Sequence, residues 1–311
     1  MPHVTFVHGI LNKPPAEIEL ALWKSALCAD DFPVDLDKNG VTCSSVYWAD
    51  VLYGSPLEGV APEDPTATTE LRTLEGSKVT KSVGLEGRDP NEQRWVLALA
   101  SKLGGRAAIP GDKDDQPPVE EADGSFERVP LPWTVKEIFL KNFLRDVHHY
   151  LFNETFSPRP GQIYAVQDEI RRRFVFDSQQ VTSRPHVVVS HSMGTVIAYD
   201  CLKRVPEVSQ ADALITIGSP LGLDEIQDKL QPGWTRPDGF PDKVGGTWSN
   251  FFDHLDPVAA FDPFLSVDFR KNGQEVVKDI HEPNYGLWRH DLGNYLRGKM
   301  LRATLTQVLQ I

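Results

Sequence analysis

The chain predicts an α/β protein with a mostly parallel central sheet flanked by helices, and three features of its 311 residues carry that expectation. Short β-branched runs alternate with helical stretches along most of its length. One of those runs, His186-Val187-Val188-Val189-Ser190, enters a small-residue turn, His191-Ser192-Met193-Gly194, that opens into a helical pattern. The alternation is broken once, between about residues 50 and 160, by a segment that reads as an insertion.

In order, residues 4–7 read as a strand, 16–27 as a helix and 41–48 as a strand. After the insertion come a helix at 162–176, a strand at 186–190, a helix at 195–205 and a strand at 213–217. A β–α–β succession of this kind implies parallel strands joined by crossovers. Residues 247–253 and 275–280 are two further strand candidates, and an amphipathic helix from about 292 to 309 closes a doubly wound chain. Within the insertion, residues 91–103 set Trp95, Leu99 and Leu103 in a stripe. Residues 133–156 carry Val135, Ile138, Phe139, Asn142, Phe143, Asp146, Val147, Tyr150 and Leu151 at mixed three- and four-residue steps. Residues 111–124 are polar and rich in turn formers, which predicts a mobile loop, and they lack the spacing of a calcium loop.

Composition narrows the function classes. With 32 basic and 44 acidic residues the formal charge is −12, a field that repels phosphate backbones and anionic bilayer surfaces, so nucleic acid is not an expected partner. No apolar run reaches 18 residues and the first residues lack a signal pattern, so the expectation is a soluble cytoplasmic protein without stable membrane insertion. Cys28, Cys43 and Cys201 have no CxxC spacing and read as reduced, mostly buried thiols. Neither a P-loop nor HExxH nor GxGxxG occurs, so no metal, nucleotide or other cofactor is expected. Oligomeric state has no signature in the sequence.

The turn at residue 192 carries the chemistry. A serine hydroxyl is a weak nucleophile, so an enzyme exposes it on a tight turn beside a base and oxyanion donors. Two positions either side of such a serine, strand and helix pass so close that only small residues fit, and Ser190 and Gly194 meet that demand. The string resembles the G-x-S-x-G nucleophile elbow of the α/β-hydrolase family, with Ser190 in place of the first glycine and His191 between it and the serine. The resemblance implies an α/β-hydrolase fold over the whole chain, residues 1–311, whose first strand is the family's third. It also implies that the insertion, approximately residues 52–160, forms a cap or lid over the site.

A tetrahedral intermediate needs backbone N–H donors. Met193, the first residue of the helix after the serine, is one candidate donor. By correspondence with the family's His-Gly motif, His8-Gly9-Ile10 after the first strand supplies the second, from Ile10. The base must be a histidine oriented by a carboxylate, and the family's chain order is serine, acid, histidine. His254, His281 and His290 follow Ser192; the resemblance favours His290, ahead of the last helix and shortly before Tyr295. Asp256 is the favoured acid, held extended by Pro257, with Asp253 and Asp262 as rivals. Gly218-Ser219-Pro220-Leu221-Gly222 is expected to shape one wall of the site, and Trp48, Tyr53, Phe139, Phe143 and Tyr150 are candidates for an acyl pocket or for core packing.

The resemblance therefore implies a serine hydrolase that cleaves a small-molecule or lipid carboxylic ester through an acyl-enzyme. Lipase, phospholipase, thioesterase and acyltransferase chemistry share that machinery, and a non-catalytic binding module on the same fold is the alternative of a different class. A neutral imidazole base predicts an acid limb near ~6.5 in kcat/KM.

Overall fold

The computed structural model describes residues 1–60, 83–107, 133–230, 238–285 and 288–311, with side chains throughout except at 104–107 and 133–137. The expected loop at 111–124 lies outside the described residues. Strands β1 (His3–Val7), β2 (Thr42–Val46), β5 (His186–His191), β6 (Ala211–Ile217), β7 (Val244–Phe252) and β8 (Val277–His281) form one six-stranded sheet in the order β2-β1-β5-β6-β7-β8. Each adjacent pair is parallel. β1 and β5 are buried along their whole length, which explains why both read as near-continuous apolar runs rather than alternating ones. The expected α/β class, a mostly parallel sheet flanked by helices, is the observed one.

Two apolar clusters sandwich the sheet. On one face Val4, Phe6, Val187, Val189, Ile215 and Phe251 pack with helices α1 (Ala16–Cys28), α8 (Leu292–Leu296) and α9 (Lys299–Leu309). On the other, Val7, Val188, Leu214 and Trp248 pack with α5 (Val166–Gln180) and α6 (Met193–Arg204). The insertion adds α3 (Pro90–Ala107) and α4 (Trp133–Leu151) to this second face, after the short α2 (Ala49–Leu52). The stripe Trp95, Leu99 and Leu103 and the α4 residues Phe139, Phe143 and Val147 all belong to the same buried cluster as the sheet, so the described insertion helices extend the core. Trp95 Nε1 also donates to the Glu225 carbonyl at 2.6 Å, tying α3 to α7 (Asp224–Leu230).

Three details differ from the sequence reading. The helix expected from 162 begins as a strand: β3 (Thr155–Arg159) and β4 (Gln162–Ala165) form an antiparallel hairpin turned by Pro160 and Gly161, the latter at φ +81°. The terminal helix is broken at Gly298, where a side chain would collide with the carboxyl of Glu282; that carboxyl instead accepts Leu301 N at 2.7 Å and caps α9. The three thiols are free, but only Cys201 is buried; Cys43 is half-buried and Cys28 exposed, which corrects the expectation of mostly buried thiols. No described helix is long and apolar enough to cross a membrane.

What positions a site in this fold is register. Val7 lies opposite Ser190, and His191 opposite Ile217. The loops leaving β1, β5 and β6 therefore start at one level, at the carboxyl edge of the sheet, where open α/β sheets bind their ligands.

Candidate active site

Ser192 joins β5 to α6 with φ +53° and ψ −129°, a conformation that costs a non-glycine residue about 1–3 kcal/mol. Its N–H donates to the Ile217 carbonyl at 2.9 Å, and its carbonyl accepts from Thr195 N and Thr195 Oγ1 at 2.9 and 2.7 Å. These bonds hold the backbone in the strained turn. The Ser192 hydroxyl is buried and engages no hydrogen-bond partner among the described residues.

The small residues around it are required by contact. A Cβ on Gly194 would sit 2.4 Å from the Val7 carbonyl oxygen and 2.5 Å from that of His8. A Cβ on Gly9 would sit 2.7 Å from Ser192 Cβ, which places the loop after β1 directly against the serine. Ser190 fits the remaining gap and donates to the Ile215 carbonyl at 3.2 Å.

The loop carrying Ile10 is braced from two sides. His8 stacks on Trp48 with centroids 4.6 Å apart, accepts Trp48 N at Nε2 (2.9 Å) and donates from Nδ1 to the Gly9 carbonyl (2.8 Å). Burial, and next the charge of Lys13, push the His8 pKa down to about 3, so it stays a neutral structural clamp. On the other side Leu11, at φ +73°, donates its N–H to Asp146 Oδ2 at 3.3 Å. Asp146 is fully buried on α4, paired to Arg145 at 2.6 Å and accepting from the Tyr53 hydroxyl at 2.9 Å. Sequence reading placed Asp146 on an apolar helix face and Tyr53 among pocket aromatics; together they steady the loop instead. Ile10 itself is buried, and Met193 is the first residue of α6, where a backbone N–H has no intrahelical acceptor.

Asp256 and His290 are brought together. His290 Nδ1 lies 2.8 and 2.9 Å from the two Asp256 carboxyl oxygens, and both residues are fully buried. A carboxylate only accepts, so Nδ1 carries the proton and Nε2 presents the lone pair. Asp256 is held in turn by Val258 N (2.8 Å), Ala259 N (3.1 Å) and the Tyr295 hydroxyl (2.8 Å). Tyr295 also accepts Asp253 N at 2.8 Å, so one phenol links the acid to the end of β7. Gly218, at φ +56°, packs where a Cβ would be 3.0 Å from both Asp256 Oδ2 and His290 Cε1. The loop after β6 thus packs against the Asp256–His290 pair.

The rivals fall elsewhere. Asp253 accepts Leu255 N and Asn284 N and shapes the loops. Asp262 packs its backbone where a Gly222 side chain would go, and burial raises its pKa. His254 and His281 are exposed and lie ring to ring, 4.7 Å apart, away from the Asp256–His290 pair. Of the aromatic candidates, Phe139 reaches the site, its ring 5.6 Å from that of His290 and 4.7 Å from Trp288. Tyr150 is core, its hydroxyl donating to Asp200 at 2.7 Å. Trp288 was not singled out by sequence, because a lone tryptophan in a loop has no periodicity to mark it.

Among the described residues, one group of side chains has metal-ligand chemistry: Glu92, His148 and Glu154 bring their donor atoms within 4.8 Å of one another. The Arg88 guanidinium already lies among them, donating to both Glu154 oxygens at 3.0 and 3.1 Å and to Glu92, so a cation is built in.

No family model matches this chain, and no curated protein matches it. Among solved structures it is similar to acetyl xylan esterase 1 from Thermoanaerobacterium sp. JW/SL YS485, at 11% identity and a TM-score of 0.33, over 99% of this chain and 74% of that one. It is also similar to an uncharacterized protein from Pseudomonas aeruginosa, at 10% identity and a TM-score of 0.26, over 91% of this chain and 40% of that one. Likenesses this distant carry no weight beside the strand order, the strained turn at Ser192 and the Asp256–His290 pair.

Proposed function

We propose that the chain is a serine hydrolase that cleaves carboxylic esters through an acyl-enzyme intermediate. The observation that carries this reading is a strained, buried serine on a strand-to-helix turn, bonded to Ile217 beside the Gly218 that packs against a buried histidine whose Nδ1 is held by a carboxylate.

In this reading His290 Nε2 takes the proton from Ser192 Oγ as the hydroxyl attacks the ester carbonyl. The N–H groups of Ile10 and Met193 receive the oxyanion. His290 then returns the proton to the leaving alkoxide, giving the alcohol and an ester on Ser192. Water, deprotonated by His290, attacks that ester, and as the acyl–Oγ bond breaks His290 gives the proton to Ser192 Oγ, releasing the acid and restoring the hydroxyl. Asp256 stabilises the imidazolium formed in each half, and Tyr295 holds Asp256 while it does so. A Ser–His hydrogen bond absent in the free enzyme is compatible with this cycle, since such contacts tighten on substrate binding.

Ser192, Asp256 and His290 are all 0% exposed, with Phe139 of α4 over the imidazole. The Phe139 side chain must then give way to admit the ester, while Asp146 on the same helix keeps its hold on Leu11. Opening would make fluorophosphonate labelling saturate with probe concentration; a rate linear in probe up to its solubility limit argues for a permanently open path.

The test is hydrolysis of p-nitrophenyl esters from acetate to palmitate by wild type and folded Ser192→Ala. Turnover lost in the variant supports the nucleophile, and the preferred chain length divides esterase from lipase. Equal rates in both proteins overturn the reading in favour of a binding module.

A further inference from the structure

His191 is a buried imidazole that the cycle above does not use. It is the last residue of β5, and its ring lies 4.7 Å from the His290 ring with the planes 36° apart. Its Nε2 is 3.0 Å from the His290 backbone carbonyl, 99 residues away in sequence. A carbonyl only accepts, so Nε2 carries the proton and His191 is the donor. Its other ring nitrogen faces the loop after β1, where a Cβ on Gly9 would come within 3.1 Å of Nδ1. The ring is wedged between the loop that carries Ile10 and the residue that carries the base.

That position has a mechanical consequence. Asp256 holds the His290 ring at Nδ1, and the direction in which Nε2 points depends as well on where the main chain of residue 290 sits. Catalysis is sensitive to that placement, since a displacement of ~1 Å can cost ~100-fold in rate. A donor to the His290 carbonyl pins the residue at its backbone, so ring and main chain are fixed from opposite sides. The donor must also be uncharged, because an imidazolium forms on His290 during turnover and a second cation 4.7 Å away would oppose it. Burial above all, then the positive charge His290 takes up when protonated and the charge of Lys13, hold the His191 pKa well below the ordinary histidine value.

We infer that His191 is a positioning residue that pins the backbone of His290 through its Nε2–H and so aims the catalytic imidazole at Ser192. This role rests on the serine hydrolase reading. Two substitutions separate the hydrogen bond from the packing: His191→Phe keeps a ring without a donor, and His191→Gln keeps an amide N–H near the Nε2 position. The readouts are kcat and KM on p-nitrophenyl acetate, the second-order rate of fluorophosphonate labelling, the urea unfolding midpoint and the downfield proton resonance of the His290–Asp256 hydrogen bond. His191→Phe is expected to lower kcat and the labelling rate about tenfold or more with KM within about twofold, and to broaden the downfield resonance. His191→Gln is expected to recover most of the kcat. Wild-type kcat and labelling in His191→Phe would overturn the role while leaving the hydrolase reading intact. Loss in both variants together with lower unfolding midpoints would make His191 a structural residue only. A wild-type enzyme that neither turns over nor labels would instead overturn the hydrolase reading itself, and the positioning role with it.

Discussion

The two ends of strands β1 and β5 hold similar chemistry in opposite states. At their amino ends lie His3, Thr5 and His186, with Thr42 and Ser44 of β2 and Asp177 of α5. His3 bonds Thr42 and Ser44 at 2.7 and 2.9 Å; Thr5 lies 3.1 Å from both His186 Nε2 and Asp177; Ser44 donates to Asp177 at 3.0 Å. At their carboxyl ends lie His8, His191 and Ser192, with Asp256 and His290 delivered by later loops. Both ends offer histidines, hydroxyls and a carboxylate, half-buried Asp177 at one and buried Asp256 at the other. The amino end is a closed network in which every named side chain has a partner. The carboxyl end leaves the Ser192 hydroxyl unbonded on a backbone at φ +53°. Residue inventory does not separate the two ends; an unspent buried hydroxyl on a strained turn does, and it supports the proposed site because fold stability alone would select against both costs.

The comparison predicts its largest contrast in a pair of histidine variants. His290→Ala is expected to lower kcat by roughly 10⁴-fold or more in protein that is still folded, on top of a stability cost of a few kcal/mol (~1–3) for stranding the buried Asp256 carboxylate. His186→Ala is expected to leave kcat within a few-fold and destabilise the fold by about 1–3 kcal/mol, the penalty for stranding the groups it bonds. Comparable activity losses in the two, at equal stability, would erase the distinction between the ends.

A pair of glycine variants asks how tightly the carboxyl end is built. Gly194→Ala would force a Cβ to 2.4 and 2.5 Å from two backbone carbonyls and is expected to cost about 3 kcal/mol, with activity lost even where the protein still folds. Gly40→Ala, at φ +66° with nothing within 4 Å, is expected to cost only about 1 kcal/mol from backbone strain. Chemical denaturation of both proteins decides this, and equal costs would mean that contact is not what selects glycine at the elbow.

How much of this was legible before the fold was known follows from the range of each interaction. The elbow was legible because its demands are local: strand, small residue, serine and small residue lie within five positions, and sterics dictate each. The partners Asp256 and His290 were reached through chain order and a family resemblance, and their approach to within 2.8 Å is a product of topology. Contacts that bind distant segments left no local trace. Nothing near residue 191 shows that it will donate to the carbonyl of residue 290, and nothing near 146 shows that an aspartate on an apolar helix face will hold Leu11. The hairpin at 155–165 was hidden because its strands are short and half-exposed, so period-2 alternation never develops. The break at Gly298 was hidden because its cause, the Glu282 side chain, comes from another element.

Stability also carries a pH dependence that both ends share. His186 at the amino end and His149 in the insertion have pKa values lowered to about 4, and His8 at the carboxyl end to about 3, each chiefly by burial. In the unfolded chain these imidazoles titrate near ~6.5, so below that pH the unfolded state binds more protons than the native state. Stability is therefore full above about pH 7 and falls as pH drops from ~6.5 toward about 4, with a slope of up to about 1.4 kcal/mol per pH unit for each group. Asp177 works in the other direction over a lower range: burial raises its pKa, so the native state holds its proton more tightly and its contribution weakens as pH rises past the ordinary carboxylate value. Urea midpoints measured from pH 7.5 to 5 should decline, and His186→Gln should shallow the decline by removing one titrating imidazole while keeping an amide near Thr5. A flat profile in wild type, or an unchanged slope in the variant, would mean that the buried histidines are not held neutral at the expense of acid stability, and that the two ends differ in partners but not in the protonation they impose.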